Sequence, residues 1–323
     1  MKQSEKKYLH SAEKTAERQR ELQADNASDA KTKDRAPQTG ARDYPVPPFP
    51  QQHLEKPGEE WELQPKPMYD APFYKGSQKL ENKVVIITGG DSGIGRAVAT
   101  LCAREGATIV IIYLEETADA EGTAEQVRNE GSDCLLIKGN VQDLKFCENA
   151  VERVVKSFGK VDVLINNAAF QLHSEAFKEL SPEQFDETMK TNLYGYFNMA
   201  KAVLPYLGKG ASIINTGSVT GLHGSKNLID YSMTKGGIHA FTRSLAGNLL
   251  PDGIRVNAVA PGPVWTPLNP ADKCAPDIEQ FGANTPMKRP AQPEELAPIY
   301  VFLASAQCSS YITGEIIPVI GGY

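Results

Sequence analysis

Charge of one sign, metal-ligand clusters and long apolar runs are all missing from this chain of 323 residues, and each absence removes a class of function. Lys and Arg number 34 against 40 Asp and Glu, a formal net charge of -6, so there is no basic excess to meet a nucleic-acid backbone. No apolar run approaches the roughly 20 residues that cross a bilayer, and the charged opening MKQSEKKYLH has no apolar stretch behind it, as a secretory signal would. Cysteine is scarce and scattered: Cys102, Cys134, Cys147, Cys274 and Cys308 form no C-x-x-C pair and are odd in number. That spacing suits reduced thiols in a cytoplasmic protein and excludes a disulfide framework. Five dispersed histidines without H-E-x-x-H give no metal site, so none is expected.

What is present changes character near residue 80. Residues 1–80 read as a polar, proline-rich extension, and 81–323 as one globular domain. Within the extension, Ser11 to Ala24 has helical composition but no apolar stripe to bury. From Tyr44 to Tyr74 the prolines of YPVPPFP and QPKPMYDAPF favour extended backbone, yet Trp61, Tyr69, Phe73 and Tyr74 are too many aromatics for a spacer. An arm lying on a folded surface, its own or a neighbouring subunit's, is the expectation. Removing residues 1–80 should then weaken oligomers and leave the rest able to bind its ligand.

Seven short β-branched runs follow: KVVIIT (83–88), TIVIIY (108–113), CLLIKG (134–139), VDVLIN (161–166), ASIINT (211–216), IRVNAV (254–259) and EIIPVI (315–320). Helical stretches such as GRAVATLCAREG and AVERVVKSFG separate them. Continuous apolar strands with helical crossovers predict an α/β fold, a doubly wound (Rossmann) and mostly parallel seven-stranded sheet covered on both faces. Pro318 removes one donor from the last run and places it at an edge.

The first strand runs directly into TGGDSGIGRA. Glycines at this junction let the backbone turn and approach a pyrophosphate at the free N–H groups of the next helix. Thr88, Gly89, Asp91, Ser92, Gly93, Ile94 and Gly95 are the candidate phosphate-side residues. The second strand ends at Tyr113 and Leu114, where an acid would select NAD and a base NADP. Neither stands there, and Glu115 and Glu116 follow slightly late, so NADP or NAD stays open. Asn140 and Val141 follow the third strand, where they would meet adenine, and Asn167, Ala168 and Ala169 follow the fourth, beside the nicotinamide ribose.

Ser218 falls at the carboxyl end of the fifth strand, and Tyr231 and Lys235 sit four apart on a predicted helix, hence on one face. A phenol of ordinary pKa ~10 is lowered by a nearby cation, which would make Tyr231 an acid–base group near neutral pH. Segment 265–290 is the expected lid, with Trp265, Leu268, Phe281 and Met287 as its apolar inner face. Phe170, His173, Val219 and His223 are further lining candidates, the histidines more simply surface or core.

TGGDSGIG, NNAA, TNLYG, the Ser218 strand, YSMTK and RVNAVAPGPVWTP together resemble the short-chain dehydrogenases/reductases over residues 83–323. Finer matches (PGEEWELQPKP, YKGS, FGANTPMKRPAQPEELAP) resemble a bacterial general-stress and NADP-dependent aldehyde reductase-like subgroup. The resemblance implies NAD(P)-dependent hydride transfer on a carbonyl/alcohol substrate, with Tyr231 as acid/base and Ser218 binding substrate. It implies that Lys235 bonds the nicotinamide ribose, that Asn192 holds a relay water, and that Pro261, Gly262, Val264 and Thr266 line the nicotinamide. It also implies a homotetramer built through the Tyr231 helix, the Asn192 helix and the last strand. Two departures stand out: NNAA in place of NNAG, and Asn140 where aspartate is usual, which should weaken the adenine contact. The rival reading is a cofactor-binding stress protein or sensor with little turnover. An epimerase or dehydratase is disfavoured by the T-G-x-x-x-G-x-G spacing and the lack of a larger C-terminal substrate domain.

Overall fold

The computed structural model describes residues 3–28 and 36–322. Residues 1–2 and 29–35 of the expected extension, and Tyr323, lie outside the described residues. Two compact units divide the chain at Pro37/Gln38. The first carries α1 (Gln3–Ser28), a helix that includes the predicted Ser11–Ala24. Because the second unit starts at Gln38, the proline-rich part of the extension belongs with the sheet and not with α1.

All seven predicted runs are strands: β1 (Val84–Thr88), β2 (Thr108–Tyr113), β3 (Cys134–Lys138), β4 (Val163–Asn166), β5 (Ser212–Thr216), β6 (Arg255–Pro261) and β7 (Ile316–Val319). They form one parallel sheet in the order β3-β2-β1-β4-β5-β6-β7. Pro318 lies on β7 at the edge, where its missing donor costs no interior ladder bond. The order reverses between β1 and β4, and a doubly wound sheet leaves its ligand crevice at that switch.

Helices α2 (Gly93–Arg104), α3 (Thr117–Asn129), α4 (Leu144–Phe158), α5 (Pro182–Met189), α6 (Gly195–Val203), α7 (Thr220–His223), α8 (Ile229–Leu249), α9 (Ala275–Glu279) and α10 (Pro293–Ala304) fill the connections. Local chemistry sets several ends. Asp143 caps α4 by accepting from the Lys145 and Phe146 N–H groups, and Ser181 caps α5 with Pro182 in its first turn. One face of the sheet packs on α2 and α10 through residues such as Leu101, Ile109, Leu296 and Tyr300. The other packs on α4, α6 and α8 through Val151, Met199, Val203 and Leu249.

The arm is a structural part of this body. Leu80 and Ala71 enter the α2/α10 core, and Phe49, Leu54 and Leu63 form a separate cluster with Trp265, Ala271, Ile278 and Phe281. Arg42 bonds the buried Glu294 carboxylate, whose Oε2 also accepts from the Ala71 N–H at 2.9 Å. Arg104 in turn donates to the Ala71 and Asp70 carbonyls at 2.7 and 2.8 Å. Of the two surfaces considered for the arm, residues 38–80 therefore lie on the chain's own domain. The expectation that 1–80 could be removed without harm to the ligand site does not survive this packing.

Candidate active site

At the carboxyl ends of the strands a cleft of about 880 Å³ opens between the glycine loop, the turns after β2, β3 and β4, the start of α8 and segment 261–285. Gly89, Asp91, Ser92, Gly93 and Ile94 face it, as do Tyr113, Leu114, Asn140, Val141, Asn167, Ala168 and Ala169. Ser218, Tyr231, Lys235, Pro261, Gly262, Val264 and Thr266 complete the set that the sequence places here. Thr88, Gly95 and Asn192 lie behind the wall. Thr88 Oγ1 accepts from the Asn167 and Ala168 N–H groups at 2.9 and 3.1 Å and pins that turn against β1. A Cβ on Gly95 would run into the Gly89 carbonyl oxygen, so only glycine lets the loop fold back on itself.

Asn192 sits in a five-residue π-helical turn, Lys190–Tyr194, between α5 and α6. Its amide is committed: Oδ1 accepts from Phe170 N–H at 2.8 Å, while Nδ2 donates to the Phe170 carbonyl at 2.9 Å and to Thr234 Oγ1 at 3.1 Å. It thus ties the turn after β4 to the helix that carries Tyr231.

Tyr231 and Lys235 share one face of α8, with Lys235 Nζ 5.3 Å from the Tyr231 ring centroid. The lysine is 1% exposed, and its ammonium donates to the Thr216 carbonyl at 2.8 Å and lies 3.4 Å from Tyr196 Oη. Ser218 Oγ accepts from the Thr220 N–H at 3.1 Å and from Thr220 Oγ1 at 3.0 Å, which leaves its own proton for a partner in the cleft.

The electrostatics depart from expectation. Burial pushes the Tyr231 phenol well above its ordinary value; a hydrogen bond with Ser218 pulls it back, and the charge of Asp272 raises it further. The cation does not win, because the pair lies too deep. Desolvation penalises the phenolate, and burial also lowers Lys235 to about 7, which thins the positive charge meant to help. Without ligand, Tyr231 is a protonated phenol.

Unfolded, Lys235 keeps its proton to about pH 10, whereas folded it releases the proton near 7. The unfolded state binds more protons in that window, so this group makes wild-type stability climb as pH rises through it. Lys235→Met is expected to raise the thermal midpoint of the ligand-free protein by several degrees at about pH 6, and by less at about pH 9. Calorimetry at the two values checks this; a wild type that melts higher than the variant at the lower pH contradicts it.

Other expectations need correcting. Trp265 faces away from the cleft: it is fully buried, stacks on Phe49 with centroids 4.2 Å apart, and donates Nε1–H to the Pro65 carbonyl at 2.7 Å. An indole with an apolar arm to cover finds more burial there than over an open crevice. Leu268 and Phe281 do face the cleft, as do Phe170, His173 and Val219; Met287 and His223 do not. His173 is no idle histidine, since its backbone N–H donates to Asp272 Oδ1 at 2.7 Å and its ring bonds the same carboxylate. Lys273 Nζ approaches the other ring nitrogen at 3.0 Å, which places the ring proton on the Asp272 side. Asn140 spends its Oδ1 on the Gln142 N–H at 2.9 Å, a turn bond that competes with any adenine contact. Near Tyr113 and Leu114 the buried Asp91 carboxyl is raised to about 7 by burial and then by Glu116, which also faces the cleft. Among the described residues no cluster of three metal-ligating side chains occurs, and no helix is long and apolar enough to cross a membrane.

Sequence reasoning missed Lys56, Pro57, Gly58 and Glu60 of the arm, and Asp272 and Lys273 of the lid. Only the turn signal Pro57-Gly58 could have hinted at the first group, because nothing in a linear pattern says which surface an arm will touch.

A doubly wound sheet with a bare glycine turn, a helix start facing the crevice and a buried Ser/Tyr/Lys group defines a dinucleotide-dependent oxidoreductase. Gly93 suits such a cradle: its φ is +51° and a Cβ there would collide with Thr266, 2.9 Å from its Cγ2, so the loop must present bare backbone at the start of α2. Residues 89–323 match the family model described as Enoyl-(Acyl carrier protein) reductase. The chain belongs to the short-chain dehydrogenase/reductase family, whose members move a hydride between NAD(P) and a carbonyl/alcohol pair. It is 51% identical to General stress protein 39 of Bacillus subtilis, over 83% of this chain and 93% of that protein. It is 44% identical to NADPH-dependent aldehyde reductase 1, chloroplastic, of Arabidopsis thaliana, over 84% and 96% respectively. A short-chain dehydrogenase from Burkholderia cenocepacia, solved in complex with NADP, superposes with a TM-score of 0.70 at 28% identity, covering 76% of this chain and 98% of that one.

Proposed function

We propose that the chain interconverts a small aldehyde or ketone and its alcohol, with Tyr231 exchanging the proton at the substrate oxygen. Bound NAD(P)H supplies the hydride. Ser218 donates its hydroxyl proton to the same substrate oxygen and orients it, and Lys235, beside the Tyr231 ring, would hold the nicotinamide ribose through its Nζ donors. Asn192 acts through position, holding the Phe170 turn and α8 in register. The observation that carries this reading is the convergence of Ser218, Tyr231 and Lys235 in the same cleft as the glycine loop.

The protonated phenol suits reduction, because a carbonyl needs a proton donor as hydride arrives. Gln171, His173, Asn227 and Lys273 line the cleft with polar groups and favour a small polar carbonyl compound, in keeping with the name of the aldehyde-reducing relative. The cofactor is NAD or NADP. A panel of aldehydes, ketones and alcohols with NADH, NADPH and their oxidised forms, followed by nicotinamide absorbance, tests the proposal. Dinucleotide binding without turnover on any carbonyl would instead make the chain a sensor.

A cytoplasmic location fits five free cysteines, of which Cys102 and Cys147 are buried. A homotetramer fits the apolar groove that Phe197, Leu204, Phe241 and Leu249 form between α6 and α8, with Phe197 itself half exposed. Within such an assembly the arm would meet a neighbour through its exposed Trp61 and Phe73, since its other face is taken by its own domain. A particle mass of one chain in solution would remove this part of the proposal.

A further inference from the structure

Residues 56–60, KPGEE, form a short strap of the arm that touches three walls of the cleft. Lys56 Nζ donates to the Gln171 carbonyl at 2.8 Å and stands 5.2 Å from the Phe170 ring centroid, which ties the strap to the turn after β4. Pro57 and Gly58 face the cleft. Gly58 has φ +96°, and a Cβ there would lie 2.9 Å from Ala271 Cβ and 3.0 Å from the Pro267 carbonyl oxygen, so the strap passes the lid too closely for any side chain. Glu60 then reaches the glycine loop. Its Oε2 accepts from the Gly93 N–H at 2.6 Å and its Oε1 from Arg96 Nη1 at 2.7 Å. Its own N–H donates to Asp119 Oδ2 at 2.6 Å, on the first turn of α3. Arg96 is held from the far side by the Tyr69 ring, 4.2 Å from its guanidinium carbon.

A carboxylate only 3% exposed is an expensive way to fasten an arm. Burial opposes its charge and raises its pKa, and Arg96, the Gly93 N–H and the charge of Lys66 offset that cost only in part. An apolar residue would fasten the arm as well, as Leu54 and Leu63 do nearby. What the carboxylate adds is control of Gly93. Four glycines in the seven residues 89–95 leave this loop with more backbone freedom than any other residue type would. Ordering it when a ligand arrives would subtract from affinity. A fixed acceptor on the first N–H of α2 removes that freedom in advance.

We propose that Glu60 is a positioning residue for the dinucleotide: from outside the sheet it fixes Gly93, and so holds the following first-turn N–H groups of α2 ready for phosphate. This rests on the dinucleotide-binding reading of the glycine loop. The test is a titration of NADH and NADPH against the full chain, followed by nicotinamide fluorescence, in wild type, Glu60→Ala, Glu60→Gln and Phe49→Ala. Glu60→Ala is expected to weaken both dinucleotides by about tenfold, the cost of ordering roughly one residue's backbone on binding. In turnover the loss should fall on the cofactor KM and spare kcat and the carbonyl KM. Glu60→Gln should recover most of the affinity, since an amide oxygen can still accept from Gly93. Phe49→Ala, which loosens the arm against Trp265, should lower the melting temperature without moving dinucleotide affinity. If Glu60→Ala does not fold, Glu60→Asp takes its place, its shorter side chain drawing the acceptor away from Gly93. Unchanged affinity in Glu60→Ala or Glu60→Asp, no recovery in Glu60→Gln, or an equal loss in Phe49→Ala would each overturn the assignment and reduce Glu60 to an arm anchor. A wild-type chain that binds neither dinucleotide would overturn the underlying reading as well.

Discussion

Replacing Tyr231 with phenylalanine should lower kcat for carbonyl reduction by about a thousandfold, the usual worth of a positioned acid–base group. The substitution removes one oxygen and leaves the ring that packs 5.3 Å from Lys235 Nζ, so the helix and the lysine have no reason to move. Dinucleotide affinity, measured by the same fluorescence titration, should stay at the wild-type value. The direction of the pKa shift adds a second signature. Because burial raises the phenol, reduction, which needs its protonated form, should be flat across the neutral range as far as this group is concerned. Alcohol oxidation needs the phenolate and should climb as pH rises toward the raised pKa. Comparable turnover in the phenylalanine variant would remove Tyr231 from the chemistry, and an oxidation rate that falls with rising pH would contradict the sign of the shift.

Cutting the chain before residue 81 should cost the folded state itself. Phe49, Leu54, Leu63 and Leu80 are each nearly or fully buried against the domain, at about 2 kcal/mol apiece by area. Their sum is on the order of the whole stability of a domain. The cut also uncovers fully buried Trp265 and takes Arg42 away from Glu294, whose side chain is inaccessible to solvent. The truncated protein should therefore be recovered as aggregate, or melt far below the full chain in calorimetry. Equal melting temperatures for the two would show that the arm merely rests on the domain, and would weaken the case for Glu60 at the same time.

Much of the molecule is written in local pattern. Strand runs such as VVIIT and TIVIIY are largely apolar on both faces because both faces are covered, and that texture alone announces a parallel sheet. TGGDSGIG sits between a strand and a helix, so its glycines could be read as a phosphate turn without coordinates. Tyr231 and Lys235 are four apart, and helical periodicity puts them on one face. These signals survive in one dimension because backbone geometry over a few residues sets them.

The ionisation of the site is different. Spacing alone suggested a lysine that lowers a phenol, yet burial governs both groups and drives their pKa values the opposite way, up for Tyr231 and down for Lys235. Solvent exclusion is a property of every element that closes over a side chain, and no neighbour in sequence reports it. The same holds for Trp265, which a lid segment offered to substrate and the arm claimed instead.

By itself, then, the sequence determined the sheet, its parallel sense, the edge position of β7 and the residues gathered at the strand ends, since each depends on periodicity or on contacts a few residues long. Only the tertiary structure decided where residues 38–80 lie, which carboxylate meets Gly93 and how far the buried site is shut off from water. Those depend on residues such as Glu60 and Gly93, or Phe49 and Trp265, that are distant along the chain and meet only when the whole body closes.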